Sequence, residues 1–258
     1  VKVEDPYRWL EDDNSAETKA WVESENKTTS QYLSQISYRE KVKQRLTELW
    51  NYEKMSTIFK KGKLFFSFRN NGLQNQSVFY SQPSLQDDPS VVLDPNTLSN
   101  DGTTSLSGMA ISKDGTYLAY GISKAGSDWV EIHLKNISTK EDLKDVIKWV
   151  KFSDISWKGN GFYYSRYDAP SDAKTYTQKN EFHKVYFHTL GKEQSEDVLV
   201  YEDKAHPDRN FSAQVTHDEN YLILYGSEST SGQSMMIRDL SGPKNPFISI
   251  VSNFDNEY

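Results

Sequence analysis

The sequence predicts a mainly β fold, in which two helices precede about four blades of a β-propeller. Three observations support this prediction. Apolar residues fall at helical spacing up to about residue 50, and short alternating or apolar runs bounded by turn residues fill the rest of the chain. A strand–turn–strand pattern, written ISKDGTYLAYG from Ile111 to Gly121, also recurs at intervals of roughly 40 to 60 residues.

Two helices are predicted near the start of the chain. Apolar residues recur with a helical period over roughly residues 15 to 36 and again over 38 to 50, and Ser15 is a suitable N-cap. We expect residues 1–51 to form an N-terminal helical segment and residues 52–258 to form a partial β-propeller domain. No helix longer than three turns is expected between residues 60 and 250.

The recurring pattern begins at Ile58, Ile111, Ile155 and Val215, so that its starts are 53, 44 and 60 residues apart. About four strand-like runs occupy each interval. A four-stranded unit with this period is the sequence signature of a propeller blade, and the turn of each copy is expected to join the two inner strands of one blade. A β-sandwich is the alternative, although a sandwich imposes no fixed four-strand spacing.

The number of blades leaves two architectures open. Residues 52 to 250 supply about four blades, and closed propellers typically contain 4 to 8. The chain is therefore either a small closed ring or an arc of a larger one. An arc leaves apolar blade surfaces without partners, so for an arc we expect self-association, or docking of the helices onto a neighbouring chain, with a broad or low thermal transition.

Composition and motifs argue against several functions. The net charge is −7 and basic residues are interleaved with acidic ones, which disfavours a nucleic-acid surface. No window approaches the roughly 18 consecutive apolar residues of a membrane span. The five histidines lack metal-ligand spacing, and phosphate-binding and calcium-binding loops are missing, so no metal or cofactor is expected. His183 and His188 are interpreted as ordinary surface or blade residues, and the expected location is cytoplasmic or periplasmic.

No G-x-S-x-G pentapeptide occurs, which is the motif that holds a nucleophilic serine in the strained turn of an α/β-hydrolase. The nearest sequence runs from Gly121 to Ala125, with Ala at the fifth position, and follows a predicted strand in a region without a helical period. We interpret it as a blade loop. The 258 residues alone are therefore predicted to be catalytically inactive.

Several long segments resemble the prolyl oligopeptidase family of serine peptidases. They are DPYRWLED from Asp5, FKKGKLFFSFRNNGLQNQSVFY from Phe59, the region from Val91 to Ile132, and GKEQSEDVLVYED from Gly191. The resemblance implies an α/β-hydrolase domain capped by a seven-bladed propeller, of which this chain matches the N-terminal helical segment and about the first four blades. It also implies that the Ser, Asp and His of the catalytic triad follow the propeller.

The activity implied by the resemblance is a serine endopeptidase that cleaves short peptides after proline, while the propeller limits access to the active site. The implied partners are proline-containing peptides and a C-terminal catalytic domain, and no cofactor is implied. Two other functions stay open at this point. A free-standing propeller that binds proteins or glycans predicts a completely closed ring. A sialidase-type enzyme needs clustered Arg and paired carboxylates, and the S-x-D-x-G-x-x-W box often associated with it is missing.

Three candidate substrate-binding residues follow from the resemblance. Phe152, in WVKFSDISW, matches an aromatic residue that lines the apolar part of the peptide pocket, whereas the residues alone favour a Phe in a blade core. Asp128, in GSDW, matches an acidic residue at the domain interface that could pair with an Arg of the catalytic domain, the alternative being a solvated turn residue. Asn210 stands at a pocket position that is apolar in relatives, so this wall of the pocket departs from the family pattern.

Overall fold

The computed structural model describes residues 3–170, 179–242 and 245–258. Within these ranges the chain forms two α-helices followed by 17 β-strands, and every strand pair is antiparallel. Between residues 60 and 250, the described part contains only short 3-10 segments, of three residues each, as helical structure. The predicted change from helical to strand structure is confirmed.

The two helices lie close to their predicted positions. Helix α1 spans Ala16–Ser34 and α2 spans Arg39–Trp50. The Ser15 hydroxyl accepts a hydrogen bond from Thr18 N–H at 3.1 Å, which confirms the predicted N-cap. Thr18 is the buried residue of α1, and α2 has none. We refer to residues 16–50 as the helical arm.

The strands form four blades. Blade 1 contains β1 (Lys54–Met55), β2 (Phe59–Lys61), β3 (Leu64–Asn70), β4 (Val78–Gln82) and β5 (Ser90–Leu93). Blade 2 contains β6 (Thr104–Ile111), β7 (Tyr117–Lys124), β8 (Val130–Asn136) and β9 (Asp142–Val150). Blade 3 contains β10 (Ser156–Lys158), β11 (Gly161–Arg166), β12 (Lys184–Thr189) and β13 (Val198–Glu202). Blade 4 contains β14 (Asn210–Val215), β15 (Tyr221–Ser227), β16 (Ser234–Asp239) and β17 (Ile248–Val251).

Strand order within each blade follows the chain. Blade 1 differs slightly because β1 and β2 both pair with β3. Blades 2 and 3 are joined by the single pair of Val150 with Arg166. Among the described strands, none of blade 4 pairs with blade 1, so pairing between the last and first blades does not close a ring. The fold is a partial β-propeller, as predicted.

The recurring sequence pattern corresponds to one hairpin in each blade, formed by β2 and β3, β6 and β7, β10 and β11, and β14 and β15. The turns of these four hairpins contain Lys61-Gly62, Asp114-Gly115, Lys158-Gly159 and Asp218-Glu219. In each pair the second residue has a left-handed φ, from 55° to 80°, which explains the preference for Gly there. Gly62 is further constrained by packing, because a Cβ atom at this position would lie 2.1 Å from the Asp114 carbonyl oxygen of the next blade.

Neighbouring blades share their apolar cores. Each of three buried clusters takes side chains from two successive blades. The clusters contain Phe66, Phe79, Leu118 and Tyr120 for blades 1 and 2, Ile132, Ile147, Trp157 and Phe162 for blades 2 and 3, and Tyr163, Val185, Phe211 and Leu222 for blades 3 and 4. Complete burial of one such side chain is worth about 1.5–3 kcal/mol, so packing between blades stabilises their order.

Candidate functional site

The loop between blades 2 and 3 places the first candidate residue. Strand β9 ends at Val150 and β10 begins at Ser156, and we call residues 151–155 the interblade loop. Phe152 lies in this loop with 59% of its surface exposed, so it does not belong to a blade core. Its φ of 51° is in the left-handed region, which is unusual for a bulky side chain. Phe152 is not part of the apolar cluster to which Val150 and Ile155, its neighbours in the chain, belong.

Phe152 and Asp128 line the same cavity. Its volume is about 310 Å³, and Val130 and Ile155 contribute apolar surface to it. The volume is within the usual range of ligand pockets, which combine apolar walls with a few polar groups. The structure therefore brings together two of the three residues predicted from the sequence.

Lys151 links these two residues and was missed by the sequence analysis. Its Nζ atom is 3.4 Å from Asp128 Oδ2 and lies 5.3 Å from the centroid of the Phe152 ring. The same ammonium group is 5.2 Å from the centroid of the Trp129 ring. Because the Asp128 carboxylate is exposed, this ion pair is worth only about 0–1 kcal/mol, and the carboxylate stays accessible to a further partner.

Asn210 lies at the first position of β14 and is not among the described residues that line the Phe152 cavity. Its Oδ1 atom accepts a hydrogen bond from the Tyr167 hydroxyl. Burial, with a smaller contribution from the Asp208 carboxylate, raises the pKa of Tyr167 to about 12, so the phenol remains a donor at neutral pH. The Tyr167 ring meets the Trp129 ring edge to face, with 6.2 Å between centroids. Asn210 is therefore connected to Trp129, next to Asp128 in the chain, through the Tyr167 side chain.

His183 lies beside Tyr167, with 4.5 Å between the centroids of the two rings. Its side chain is buried, Nδ1 is 2.9 Å from the Phe211 nitrogen, and Nε2 is 2.9 Å from the Lys151 carbonyl oxygen. Burial lowers the pKa of His183 to about 4, and the hydrogen bond to the Lys151 backbone opposes this effect only partly. The sequence interpretation of His183 and His188 as surface or blade residues is correct only in its second alternative, because both are fully buried.

A second cavity, of about 380 Å³, is lined by residues of β2, β6, β10 and β14, one strand from each blade, and by the turns that follow β6 and β14. Glu219 is its main anionic group. One carboxylate oxygen lies 4.0 Å from Lys113 Nζ, and the other lies 3.8 Å from Lys158 Nζ. We call this space the axial cavity, since it lies where the inner strands of the blades converge.

The segment nearest to a nucleophile motif is structural. Gly121 to Lys124 belong to β7, and only Ala125 lies beyond the strand, so the interpretation of this segment as a loop is wrong in that detail. The Ser123 hydroxyl donates a hydrogen bond to the Ser127 carbonyl oxygen. Ser123 is buried and has no described base beside its hydroxyl, so it is not arranged as a nucleophile.

The described residues contain neither a membrane-spanning helix nor a metal-binding cluster. None of the described helices combines the length and apolar character needed to cross a membrane. No cluster of three or more His, Asp or Glu side chains in residues 3–170, 179–242 and 245–258 is arranged to hold a metal ion.

Comparison with known proteins gives a consistent result. The sequence profile described as "Prolyl oligopeptidase, N-terminal beta-propeller domain" matches residues 1–258. A prolyl endopeptidase from Elizabethkingia miricola is 45% identical over 256 residues, which is 99% of this chain and 36% of that protein. Prolyl oligopeptidase A from Amanita bisporigera is 37% identical over 290 residues, which is 100% of this chain and 38% of that protein. The chain thus spans little more than a third of the length of these relatives.

Solved structures show the same similarity. Prolyl oligopeptidase B from Galerina marginata, bound to a 25mer macrocyclization substrate, superposes with a TM-score of 0.85 at 29% identity and covers 98% of this chain and 39% of that chain. The apo form of the same enzyme superposes with a TM-score of 0.71 at 31% identity, and covers 98% of this chain and 38% of that chain.

Proposed function

This chain belongs to the prolyl oligopeptidase family, as the N-terminal β-propeller part, and from this premise we propose that it controls access to the active site of a serine endopeptidase that cleaves short peptides after proline. In this proposal residues 1–51 belong to the catalytic domain and residues 52–258 to the propeller. The nucleophile, acid and base belong to sequence that these 258 residues do not include. The relatives named above are prolyl endopeptidases and oligopeptidases, which supports the reaction class.

The observation that most supports this function is the exposed aromatic ring of Phe152 on the wall of a cavity. A proline ring is compact and apolar, and an aromatic face offers it a large contact area at low entropic cost. The Lys151 ammonium contacts both the Phe152 ring and the Asp128 carboxylate, which lines the same cavity. We propose that Phe152 contacts the apolar side chain of the bound peptide.

Asp128 and Asn210 have different proposed roles. The exposed Asp128 carboxylate is available to an Arg of the catalytic domain, so that domain closure would bring a cation to the rim of the cavity. Asn210 is engaged by Tyr167, and we propose that it supports the wall of the pocket and reaches substrate only through that wall.

The blades contribute selectivity by enclosure. The axial cavity has a volume of about 380 Å³ and is bounded by residues of all four blades, so it is too small to admit a folded protein. Enclosure also shields the reaction from bulk water. We propose that folded proteins are excluded for this reason, and that the reaction requires no metal or cofactor from this part of the protein.

The test is the Phe152→Ala variant of the longer gene product that the proposal requires, assayed with a short chromogenic peptide containing proline. We expect KM to rise roughly tenfold with a small change in kcat, because the variant loses apolar contact in the ground state and transition state alike. The matched control is Leu85→Ala, an exposed apolar residue of blade 1 outside the cavity, which should leave KM unchanged. An unchanged KM in Phe152→Ala contradicts the proposed role of this residue.

A further inference from the structure

We infer that His183 is a positioning residue that holds the interblade loop, and with it Phe152, against blade 4 through both of its ring nitrogens. The effect of His183 on substrate binding rests on the proposed function, whereas its positioning role rests on the geometry alone. His183 precedes β12 of blade 3, whereas its two hydrogen-bond partners belong to other parts of the propeller. One imidazole ring therefore joins the end of blade 2, blade 3 and blade 4.

The two hydrogen bonds define a single tautomer. Phe211 N–H can only donate, so His183 Nδ1 accepts from it and carries the lone pair. The ring proton is then on Nε2, which donates to the Lys151 carbonyl oxygen. The distance from Nε2 to the Lys151 oxygen and the distance from Nδ1 to the Phe211 nitrogen are both 2.9 Å, which is normal for hydrogen bonds. A protonated or flipped ring would lose at least one of the two contacts.

The backbone on both sides of the His183–Lys151 bond is strained. Phe152, next to the acceptor, has a φ of 51°, and Phe182, next to the donor, has a φ of 59°. Left-handed backbone is disfavoured for bulky residues, and it persists where surrounding contacts fix it. The Phe182 N–H also donates to the Pro207 carbonyl oxygen at 2.8 Å. The His183–Lys151 bond thus joins two strained turns and fixes the direction of the Phe152 side chain.

His183 is also connected to the other two candidate residues. The Tyr167 ring packs on the imidazole with 4.5 Å between centroids, and the Tyr167 hydroxyl binds Asn210. The Lys151 residue that accepts from His183 pairs with Asp128 through its ammonium group. Each of the three candidate residues is therefore linked to His183 through one intermediate residue. Lys151 connects it to Phe152 and Asp128, and Tyr167 connects it to Asn210.

The first experiment uses this chain and needs no catalytic activity. In the unsubstituted protein, ¹⁵N spectra of the imidazole should show Nδ1 without a proton and Nε2 with one. In His183→Phe, which fills the space without hydrogen bonds, the Phe211 amide should exchange with solvent roughly 2- to 10-fold faster. His183→Gln keeps one donor and one acceptor and should restore part of the protection. His133→Phe, at a half-buried histidine of β8, is the matched control and should leave the Phe211 amide unchanged.

The second experiment uses the longer gene product with a short proline-containing peptide. We expect His183→Phe to raise KM roughly 2- to 10-fold with little change in kcat, and His183→Gln to lie between. A proton on Nδ1 in the unsubstituted protein, or unchanged exchange of the Phe211 amide in a folded His183→Phe variant, overturns the positioning inference. Faster exchange with an unchanged KM supports positioning and instead contradicts the proposed contact between Phe152 and substrate.

Discussion

The blades and the helical arm place their apolar side chains in opposite environments. Phe162 and Leu222 are completely buried between blades, whereas Tyr32 and Trp50 of the arm are 70% and 64% exposed. Blades pack on one another, so each supplies the partner surface that its neighbour needs. The arm has the helical spacing of apolar residues that predicts a buried face, but most of these residues are exposed in the described structure, where Trp21 packs edge to face on Trp9. The difference indicates that burial between blades stabilises the propeller part of the chain, whereas apolar burial contributes little to the arm.

Local interactions are the main support of the arm. Its ion pairs, Arg39 with Glu40 and Arg45 with Glu48, are exposed and are worth at most about 1 kcal/mol each. Helix α2 has no side-chain hydrogen bond at its N-cap and spans 12 residues, a length at which an isolated helix is marginal in water.

The largest expected effect compares truncations in the two regions. Phe162→Ala should destabilise the protein by about 3–5 kcal/mol, because it opens a cavity between blades 2 and 3. Leu46→Ala, at a residue 58% exposed in α2, should change the free energy of unfolding by less than about 0.5 kcal/mol. Urea denaturation monitored by far-UV circular dichroism measures both. Equal losses in the two variants would mean that the arm is packed in solution.

A smaller effect concerns pH, and the part of it that is due to histidine should act on the blades alone, since residues 16–50 contain no histidine. The pKa of His183 is lowered to about 4 in the folded protein and is about 6.5 in an unfolded chain. As the pH falls, the unfolded state binds the proton before the folded state does. The contribution of neutral His183 to the free energy of unfolding is therefore fully present above pH 6.5 and is lost as the pH falls from 6.5 through 4.

The expected loss attributable to His183 is about 3 kcal/mol over that pH range. His183→Gln does not titrate and should show a shallower decrease in unfolding free energy between pH 6.5 and 4. Parallel pH profiles of the variant and the unsubstituted protein would show that His183 is not held neutral by burial.

The sequence allowed good prediction of features with a period. Four strand–turn–strand repeats specified the blades, and apolar spacing with Ser15 specified the arm. Features without a period were missed or incomplete. The exposure of Phe152 depends on one left-handed backbone angle, and the importance of Lys151 and His183 depends on contacts between residues more than 20 positions apart. Neither a backbone angle of a bulky residue nor such a distant contact leaves a local sequence pattern.

The burial of His188 illustrates the same limit. His188 Nδ1 lies 2.6 Å from Asp197 Oδ1, and Nε2 lies 3.5 Å from Asp145 Oδ1. The two carboxylates come from different blades, Asp145 from β9 of blade 2 and Asp197 from the residue before β13 of blade 3. Their meeting point depends on how the blades stack, which no short sequence window contains.

The smallest expected effect is on association through the arm. We predict that this chain self-associates at micromolar concentration through exposed apolar residues of the arm, because such surfaces seldom remain free on monomers. The double substitution Leu46→Glu and Trp50→Glu should shift the light-scattering mass towards that of a monomer without changing the free energy of unfolding of the blades. A monomeric unsubstituted chain would contradict this prediction.

The most direct test of the central claim compares turnover by two purified proteins, this 258-residue chain and the longer gene product, on one short peptide with a single internal proline. We predict that the longer protein cleaves on the carboxyl side of proline, as identified by product masses, and that the 258-residue chain shows no turnover. Activity that follows the 258-residue chain through successive purification steps would contradict the assignment of these residues to the access-controlling propeller, as would cleavage by the longer protein at sites unrelated to proline.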